Sequence, residues 1–415
     1  MAELYDMSEL TERVILVGVQ VNQGDDTEES LDELEELAKT AGAVTVAKVI
    51  QNRESVHPGT YVGKGKIEEI RILIDQLNAT GIVCDDELSP AQLKNLEDAL
   101  QTKVIDRTVM ILDIFAARAC TNEGKIQVEL AQLKYRSSRL IGLRSSLSRL
   151  GGGIGTRGPG EKKLEMDRRL IRDRISQLNK ELDQVKRTRE TLRAQRSKYP
   201  IPVVAIVGYT NAGKSTLLNT LTNAGILAED KLFATLDPTT RKLELESGEE
   251  ILLTDTVGFI RKLPHHLIEA FRSTLEEAKY ADMILHVVDC SNKTAHKQMH
   301  IVYETLENLG VKDKTIITAF NKIDQLEDET IIKDLKADQT VRISAKEQIG
   351  LDQLLSTIET ILREQKVYLE RTFSYQDAGK IQKIRKYGQL QKEEYREDGI
   401  YVEAYLPKEV YCSLE

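Results

Sequence analysis

The sequence is poor in cysteine and has no long hydrophobic run. Its four cysteines, Cys84, Cys120, Cys290 and Cys412, lie far apart, without a Cys-x-x-Cys or Cys/His spacing. We therefore expect reduced thiols and no zinc site. No apolar run approaches the roughly 18–20 residues of a membrane span, and the acidic opening MAELYDMSEL does not resemble a signal peptide. These absences predict a cytoplasmic protein.

An overall excess of positive charge is also absent, because the net charge is −9. That total argues against a nucleic-acid partner only until the charge distribution is considered. Between Lys134 and Lys198 there are 19 lysines and arginines and 7 acidic residues, a local net charge of +12 that leaves −21 for the rest. A solvated charged face is the alternative, but local sign decides whether a surface attracts phosphate. The middle of the chain is a candidate RNA-binding segment.

The 415 residues suffice for two or three domains. The first part alternates strand-like runs such as RVILVGVQV with helical patterns such as DTEESLDELEELAKTAGA. Ser89 and Pro90 look like the N-cap and first residue of one helix. This alternation predicts an N-terminal α/β domain with a parallel sheet over residues 1–123. Asp85, Asp86 and Asp106 lie near predicted strand ends, where α/β proteins often place functional sites, but we interpret them as solvated loop residues.

The pattern changes at about residue 124, where the residues of an apolar helical seam recur at steps of four and three, as in coiled coils, with one heptad skipped after Leu164. The first set is Ile126, Leu130, Leu133, Ser137, Leu140, Arg144 and Leu147, and the second is Leu164, Ile171, Ile175, Leu178, Leu182, Val185, Arg189 and Leu192. They predict a basic antiparallel helical hairpin over residues 124–198. We expect these arginines to point outward: Arg136, Arg139, Arg144, Arg149, Arg168, Arg169, Arg172 and Arg174.

The hairpin's predicted tip, RLGGGIGTRGPGEKK, contains six glycines. Residues 153–158 match the G-x-G-x-x-G dinucleotide fingerprint, but that motif requires a preceding strand and here a helix precedes it. We interpret residues 151–160 as a glycine-rich tip that contacts RNA, a flexible turn being the alternative. The predicted RNA-contacting residues are Arg149, Gly152, Gly153, Arg157 and Lys162.

A second glycine loop, GYTNAGKST, follows the apolar run VVAIV and precedes a helical pattern. This is the P-loop in its proper context. Its backbone amides would cradle phosphates, Lys214 would reach the β- and γ-phosphates, and the Ser215 hydroxyl would bind Mg²⁺.

Three further motifs follow in the order of a GTPase. In Asp255-Thr256-Val257-Gly258 the carboxylate would hold Mg²⁺ through water and the glycine amide would sense the γ-phosphate. In the run Asn321-Lys322-Ile323-Asp324 the final carboxylate would accept two hydrogen bonds from guanine, which adenine cannot offer. The run Ser344-Ala345-Lys346 would back the base. Together the motifs predict a Mg²⁺-dependent GTP hydrolase.

Two points concern catalysis. The switch after the P-loop offers Thr235, Thr239 and Thr240 as the threonine that closes on Mg²⁺, and the residues alone do not choose among them. Phe259 stands where Ras-like enzymes place a water-orienting glutamine. We therefore expect slow intrinsic hydrolysis unless another group or a partner completes the site.

The order of the α/β domain, a helical hairpin with GGGIGTRGPGE, then GYTNAGKST, FATLD, DTVGF and NKID resembles the HflX family of translation-associated GTPases, relatives of the Obg-like GTPases. The resemblance covers essentially the whole chain. It implies a protein that binds the large ribosomal subunit and separates stalled or idle ribosomes, with the hairpin reaching ribosomal RNA. It also selects Thr235 as the Mg²⁺ ligand, and it implies that an apolar residue at Phe259 is usual. A monomer is the default expectation, which the sequence does not decide.

These interpretations place the GTPase domain at residues 199–364 and a small C-terminal α/β appendage of open role at 365–415. The expected catalytic residues are Lys214, Thr235 and Gly258, and the expected metal ligands are Ser215 and Thr235. The expected nucleotide-binding residues are Gly208, Tyr209, Thr210, Asn211, Ala212, Gly213, Lys214, Ser215, Thr216, Phe233, Ala234, Thr235, Leu236, Asp237, Asp255, Thr256, Val257, Gly258, Asn321, Lys322, Ile323, Asp324, Ser344, Ala345 and Lys346.

Two other functions fit the motifs. The protein could be a GTP-dependent regulatory switch that recruits protein partners, or a GTPase that assists RNA modification or ribosome assembly. Binding to ribosomal RNA through the basic hairpin should weaken steeply with salt, whereas binding to a protein through an apolar surface should not.

Overall fold

The computed structural model describes residues 12–21, 26–148, 159–196, 201–222, 232–233, 235–263, 277–326 and 332–414. The chain forms two compact units. The first consists of Met1–Val185, Asp230–Leu236 and Arg261–Arg272, and the second of Lys186–Glu229, Asp237–Ile260 and Ser273–Glu415.

The first unit contains the predicted parallel sheet. Its strands are β1 Arg13–Gln20, β2 Val44–Asn52, β3 Gly81–Cys84 and β4 Lys103–Asp106, in the order β2-β1-β3-β4. Its helices are α1 Thr27–Thr40, α2 Lys64–Leu77, α3 Pro90–Leu100 and α4 Arg107–Arg118. All strand pairs are parallel, so the strands' carboxyl ends share one edge. The predicted N-cap is confirmed, since Ser89 and Gln92 form a capping box and Pro90 opens α3.

The hairpin helices are α5 Asn122–Ser148 and α6 Pro159–Arg196. Six of the predicted seam residues pack into one apolar cluster: Ile126, Leu130, Leu133, Ile175, Leu178 and Leu182. The prediction that the arginines point outward is wrong for Arg139 and Arg168, whose side chains are 13% and 11% exposed, whereas Arg174 is 41% exposed. Arg139 pairs with buried Asp106 at 2.5 Å, and Arg174 pairs with Glu129 across the two helices at 2.7 Å. Not every cation of this segment is therefore available to RNA.

The second unit is built on a six-stranded sheet in the order β10-β9-β8-β5-β7-β6. The strands are β5 Val203–Gly208, β6 Thr239–Glu244, β7 Glu250–Asp255, β8 Met283–Asp289, β9 Thr315–Asn321 and β10 Gln339–Arg342, with helices α7 Lys214–Thr222, α8 Ala295–Asn308 and α9 Leu351–Glu364. The pairs are parallel except β6 with β7. The loops that follow β5, β7, β8 and β9 consequently lie at one edge of the sheet, where α/β proteins bind ligands.

The C-terminal part of this unit is a three-stranded antiparallel sheet in the order β11-β13-β12. Its elements are β11 Val367–Phe373, α10 Ala378–Tyr387, β12 Gln389–Arg396, β13 Gly399–Leu406 and α11 Lys408–Cys412. One face of the sheet buries Leu369, Val402 and Leu406 together with Ile381 and Ile384 of α10. The fold class is thus the predicted one, with an N-terminal parallel sheet, a P-loop domain and a small α/β appendage.

Among the residues that the structure describes, no helix combines the length and the apolar character needed to cross a membrane.

Candidate nucleotide site

The loop from Gly208 to Ser215 connects β5 to α7 in a conformation that its small residues permit. Gly213 has a φ of +94°, and a Cβ there would lie 2.2 Å from Nδ2 of Asn321. Asn211 also has a positive φ, of 62°, a conformation that asparagine tolerates better than most residues. The loop therefore requires glycine at position 213, and it lies at the carboxyl edge of the sheet, as the sequence predicts.

Lys214, the first residue of α7, is almost completely buried and its Nζ donates to the carbonyl oxygen of Tyr209 at 2.7 Å. Burial lowers the pKa of this ammonium to about 8, although the nearby carboxylate of Asp255 acts in the opposite direction. A buried cation with one carbonyl acceptor is well placed to pair with the phosphates that the loop would cradle.

Two oxygen ligands meet beside the lysine. The Ser215 hydroxyl donates to Oδ2 of Asp255 at 2.7 Å, which joins the start of α7 to the end of β7. A hydroxyl and a carboxylate are hard donors of the kind that Mg²⁺ prefers, and Mg²⁺ in nucleotide sites takes few protein ligands. The donor set fits this metal. Among the described residues, no group of three or more His, Cys, Asp or Glu side chains could hold a metal ion.

The turn after β7 packs closely against the glycine loop. A Cβ on Gly258 would lie 2.9 Å from Nζ of Lys214 and 2.9 Å from Cα of Thr210. The Thr210 amide donates to the carbonyl oxygen of Phe259 at 2.8 Å, and the Phe259 amide donates to Gly208 O at 3.1 Å. The Phe259 side chain is buried, so this position cannot orient water. The structure thus brings the second motif into contact with the first.

Asn321, at the end of β9, connects the third and fourth motifs to the glycine loop. Its Nδ2 donates to the Ala212 carbonyl oxygen at 2.9 Å, and its Oδ1 accepts from the Ala345 amide at 2.9 Å. The side chain is 2% exposed. One buried amide therefore holds two loops of the site at a fixed spacing.

The last residue of the third motif is positioned by the fourth. The Ser344 hydroxyl donates to Oδ1 of Asp324 at 2.5 Å, while Lys322 pairs with Asp289 at 2.7 Å. Asp289, the last residue of β8, was not among the predicted site residues, although its position at a strand end could have indicated it. Ser344 and Ala345 are buried, and Lys346 is exposed. The carboxylate of Asp324 is thereby oriented at the rim of the loop cluster.

The predicted switch residues, unlike the four motifs above, do not all belong to the second unit. Thr235 and Leu236 belong to the first unit, as does Phe233, whose ring makes an edge contact with Phe115 at 4.6 Å. The role of Thr235 as a Mg²⁺ ligand stays a prediction. Thr240 lies in β6 with its hydroxyl 3.0 Å from that of Thr254, which favours a sheet role over metal binding. Asp237 belongs to the second unit, and Ala234 lies outside the described residues.

A cluster of charges in the first unit was not foreseen. The expectation that Asp85 is a solvated loop residue is wrong, because its side chain is 1% exposed at the end of β3. Its carboxylate accepts from Ser30 Oγ at 2.8 Å and from Lys262 Nζ at 2.5 Å, with Arg107 Nη2 at 3.3 Å. Burial would raise the pKa of Asp85, but Arg107 and Lys262 outweigh burial and hold it below its usual range.

Asp106 and Asp86 also depart from the solvated interpretation. Asp106 is fully buried at the end of β4 and accepts from Tyr135 and Arg139 of α5, at 2.9 and 2.5 Å. Asp86 is partly buried and accepts from the Tyr61 hydroxyl and from Lys262, both at 2.7 Å. Carboxylates at strand ends here stabilise the fold. Lys262, which belongs to the first unit, joins Asp85 and Asp86 at this sheet edge.

Four of the five predicted tip residues, Arg149, Gly152, Gly153 and Arg157, lie outside the described residues. Lys162 lies in α6. Their contact with RNA stays a prediction.

Three family models match in succession. Residues 28–116 match the "GTP-binding GTPase N-terminal" model, residues 118–196 the "GTP-binding GTPase Middle Region" and residues 203–322 the "50S ribosome-binding GTPase" model. The chain is 71% identical over 414 residues to a GTPase HflX of Lacrimispora saccharolytica, covering 100% of this chain and 98% of that protein.

More distant relatives carry the same name. Identity is 50% over 404 residues to GTPase HflX of Caldanaerobacter subterraneus, covering 97% of this chain and 92% of that protein, and 43% over 358 residues to that of Escherichia coli, covering 86% and 84%. A crystal structure of SsGBP with GDP is 25% identical, with a TM-score of 0.49, over 84% of this chain and 98% of that one.

Proposed function

Because this chain belongs to the HflX family of GTPases and is a P-loop GTP hydrolase, we propose that it acts on the large ribosomal subunit and separates stalled or idle ribosomes into subunits. GTP binding would favour association, and hydrolysis would permit release. The proposed place of action is the cytoplasm, and a monomer is the default expectation. The proposal is supported by the family description, "50S ribosome-binding GTPase", and by the exposed cations of the hairpin.

At the nucleotide, the loop amides and Lys214 would bind the phosphates, with Ser215 and Asp255 holding Mg²⁺ directly and through water. The switch residue Thr235 would supply a second direct ligand. The bound metal would neutralise charge on the β- and γ-phosphate oxygens. The amide of Gly258 would then detect the γ-phosphate, since this residue already packs against the ammonium of Lys214.

Guanine would be selected by the carboxylate of Asp324, which Ser344 holds in place. The carboxylate accepts from both N1–H and the exocyclic amine of guanine, and adenine would leave it unpaired. Sites that depend on such hydrogen bonds discriminate strongly, because a buried polar group without a partner is costly.

Hydrolysis would be slow in the isolated protein. Phe259 is buried against the glycine loop and has no polar atom with which to orient a water molecule. The remaining catalytic contribution would come from the partner, so we propose that the large subunit completes the site or fixes the switch segments.

Ribosomal RNA would be contacted through the hairpin. Five cations of α6 are exposed and make no salt bridge with another described residue: Arg169, Arg172, Lys180, Lys186 and Arg187. They extend a positive surface along the helix, and each phosphate neutralised releases counterions, which makes affinity fall with salt.

The experiment is co-sedimentation with purified large subunits in GTP between 50 and 300 mM salt. The double variant R169Q/R172Q should bind at least fivefold more weakly, with a shallower salt slope, because two phosphate contacts are lost. K293Q/K312Q is the matched control, since it removes two exposed lysines from the second unit. Equal binding by both variants would contradict an RNA-contacting hairpin. Binding insensitive to salt would favour the regulatory switch with protein partners.

A GTPase that assists RNA modification or assembly would bind precursor particles in preference to mature subunits. Incubation with intact ribosomes and GTP, followed by gradient analysis, separates these roles. Ribosome splitting predicts loss of the intact ribosome peak.

A further inference from the structure

The C-terminal sheet has one buried face and one open face. The open face presents side chains from all three strands: Tyr368 and Glu370 of β11, Lys392, Glu394 and Arg396 of β12, and Tyr401, Glu403 and Tyr405 of β13. Tyr368 is 46% exposed, although tyrosines on sheets usually pack against a neighbouring element. An exposed aromatic surface of this kind is a candidate interaction site.

One part of this open face already holds a cation on an aromatic ring. The guanidinium of Arg396 lies 3.7 Å from the centroid of Tyr401, and its Nη2 also pairs with the carboxylate of Glu394 at 2.7 Å. Lys392 pairs with the same carboxylate at 2.6 Å. The protein therefore shows the arrangement in which this surface binds a cation, namely a tyrosine ring with a glutamate beside it.

The other part repeats that arrangement. Tyr368 and Tyr405 are directly opposite each other on β11 and β13, with ring centroids 5.2 Å apart. The next pair on the same face, Glu370 and Glu403, is also directly opposite. Within the described part of the chain, no cation lies over either of these two rings or forms a salt bridge with either of these carboxylates.

The two facing glutamates are energetically unfavourable for the sheet, because like charges directly opposite each other destabilise an antiparallel pair. The Tyr401 hydroxyl lies 2.8 Å from Glu370 Oε1 and 2.7 Å from Glu403 Oε1, but its single proton serves one carboxylate at a time and does not cancel their charge. Lys392 is opposite Glu403 on the other side, but its ammonium is bound to Glu394. An external cation would relieve the repulsion.

We propose that Tyr368, Tyr405, Glu370 and Glu403 form a docking site for a lysine- and arginine-rich segment of another protein. One basic side chain would lie on the tyrosine pair, as Arg396 lies on Tyr401, and its charge would face the two carboxylates. RNA fits less well, because bases could stack on the rings but the carboxylates would repel the phosphates. This site shares no residue with the nucleotide loops or the hairpin, and its test does not depend on the ribosomal proposal.

The test uses fluorescence anisotropy with the full-length protein and a fluorescein-labelled dodecapeptide of alternating arginine and glycine. E370Q/E403Q should weaken binding at least fivefold, and Y368L/Y405L at least threefold, since leucine keeps the apolar area but loses the ring face. The matched control is E304Q/E307Q, which removes two exposed carboxylates from α8 and should change the affinity less than twofold. Basal GTP hydrolysis should be unchanged in all three variants.

A merely structural role for the glutamates predicts a lower melting temperature for E370Q/E403Q. The docking site predicts an equal or higher one, because the repulsion is removed. The proposal is overturned if both sheet variants bind the peptide as the control does. It is also overturned if Y368L/Y405L weakens the binding of a uridine dodecamer at least threefold and leaves peptide binding unchanged, because the rings would then serve RNA.

Discussion

The substitution Asp324→Asn tests how the site would select its base. The carboxylate of Asp324 is held by the Ser344 hydroxyl at 2.5 Å, and the asparagine oxygen can accept the same bond. We therefore expect the free energy of unfolding to change by less than about 1 kcal/mol, because no buried group loses its partner. Any effect on nucleotide affinity then reports on the base contact itself.

The magnitude follows from the two hydrogen bonds that the carboxylate would accept from guanine. Asparagine keeps one acceptor but turns an N–H toward the exocyclic amine, so one charge-assisted bond is lost, at about 1.5–3 kcal/mol. The amine donor is also left unpaired, at about 1–3 kcal/mol. The sum, about 2.5–6 kcal/mol, corresponds to a roughly 10²- to 10⁴-fold weaker affinity for GTP.

The assay is calorimetric titration of wild-type protein, D324N and the control D313N, an exposed aspartate on the same unit, with GDP, GTP, ATP and xanthosine triphosphate. Xanthine has a carbonyl where guanine has its amine, so D324N should bind it at least tenfold more tightly than GTP. The reasoning is refuted if D324N binds GTP within threefold of the wild type, or if the wild type binds ATP as tightly as GTP.

Three other substitutions give independent checks. Asp85→Asn should lower the free energy of unfolding by about 3 kcal/mol in urea titrations, because Arg107 loses a buried counter-charge; a loss below 1 kcal/mol would argue against this ion pair. Gly258→Ala should reduce GTP turnover about tenfold while GDP affinity stays within threefold, since the new Cβ would displace Lys214 or Thr210; unchanged turnover would exclude close packing there. Burial lowers the pKa of His286 despite its contact with Asp334. As the pH falls below about 6.5, this histidine is therefore protonated in the unfolded chain before it is protonated in the folded protein. The free energy of unfolding then falls by at most about 1.4 kcal/mol per pH unit. His286→Gln should flatten that slope between pH 6.5 and 5, and identical slopes would refute the assignment.

Much of the fold could be predicted because its signals are local. The β-branched runs became strands, the serine before Pro90 became an N-cap, and the seam around Leu130 and Leu178 packed as expected. Motif spacing also anticipated which loops meet at the sheet edge, since parallel strands bring their carboxyl ends together.

The ion pairs could not be predicted in the same way, because they join residues that are distant in sequence. Lys262 reaches Asp85 across 177 positions, and Arg139 reaches Asp106 across 33. From the sequence alone, a carboxylate at a strand end is interpreted as solvated, because its distant partner is not known. Likewise, Glu370 and Glu403 become neighbours only through the register of β11 and β13, which neither strand specifies alone.

The central claim is that the large ribosomal subunit activates this GTPase. Its most direct test is steady-state GTP hydrolysis at near-physiological salt, with and without purified large subunits. We predict that large subunits stimulate hydrolysis at least tenfold, which corresponds to an activation barrier about 1.4 kcal/mol lower, because the buried Phe259 leaves the water-orienting position incomplete. Equal rates with and without subunits, in a protein that binds GTP tightly, would contradict it.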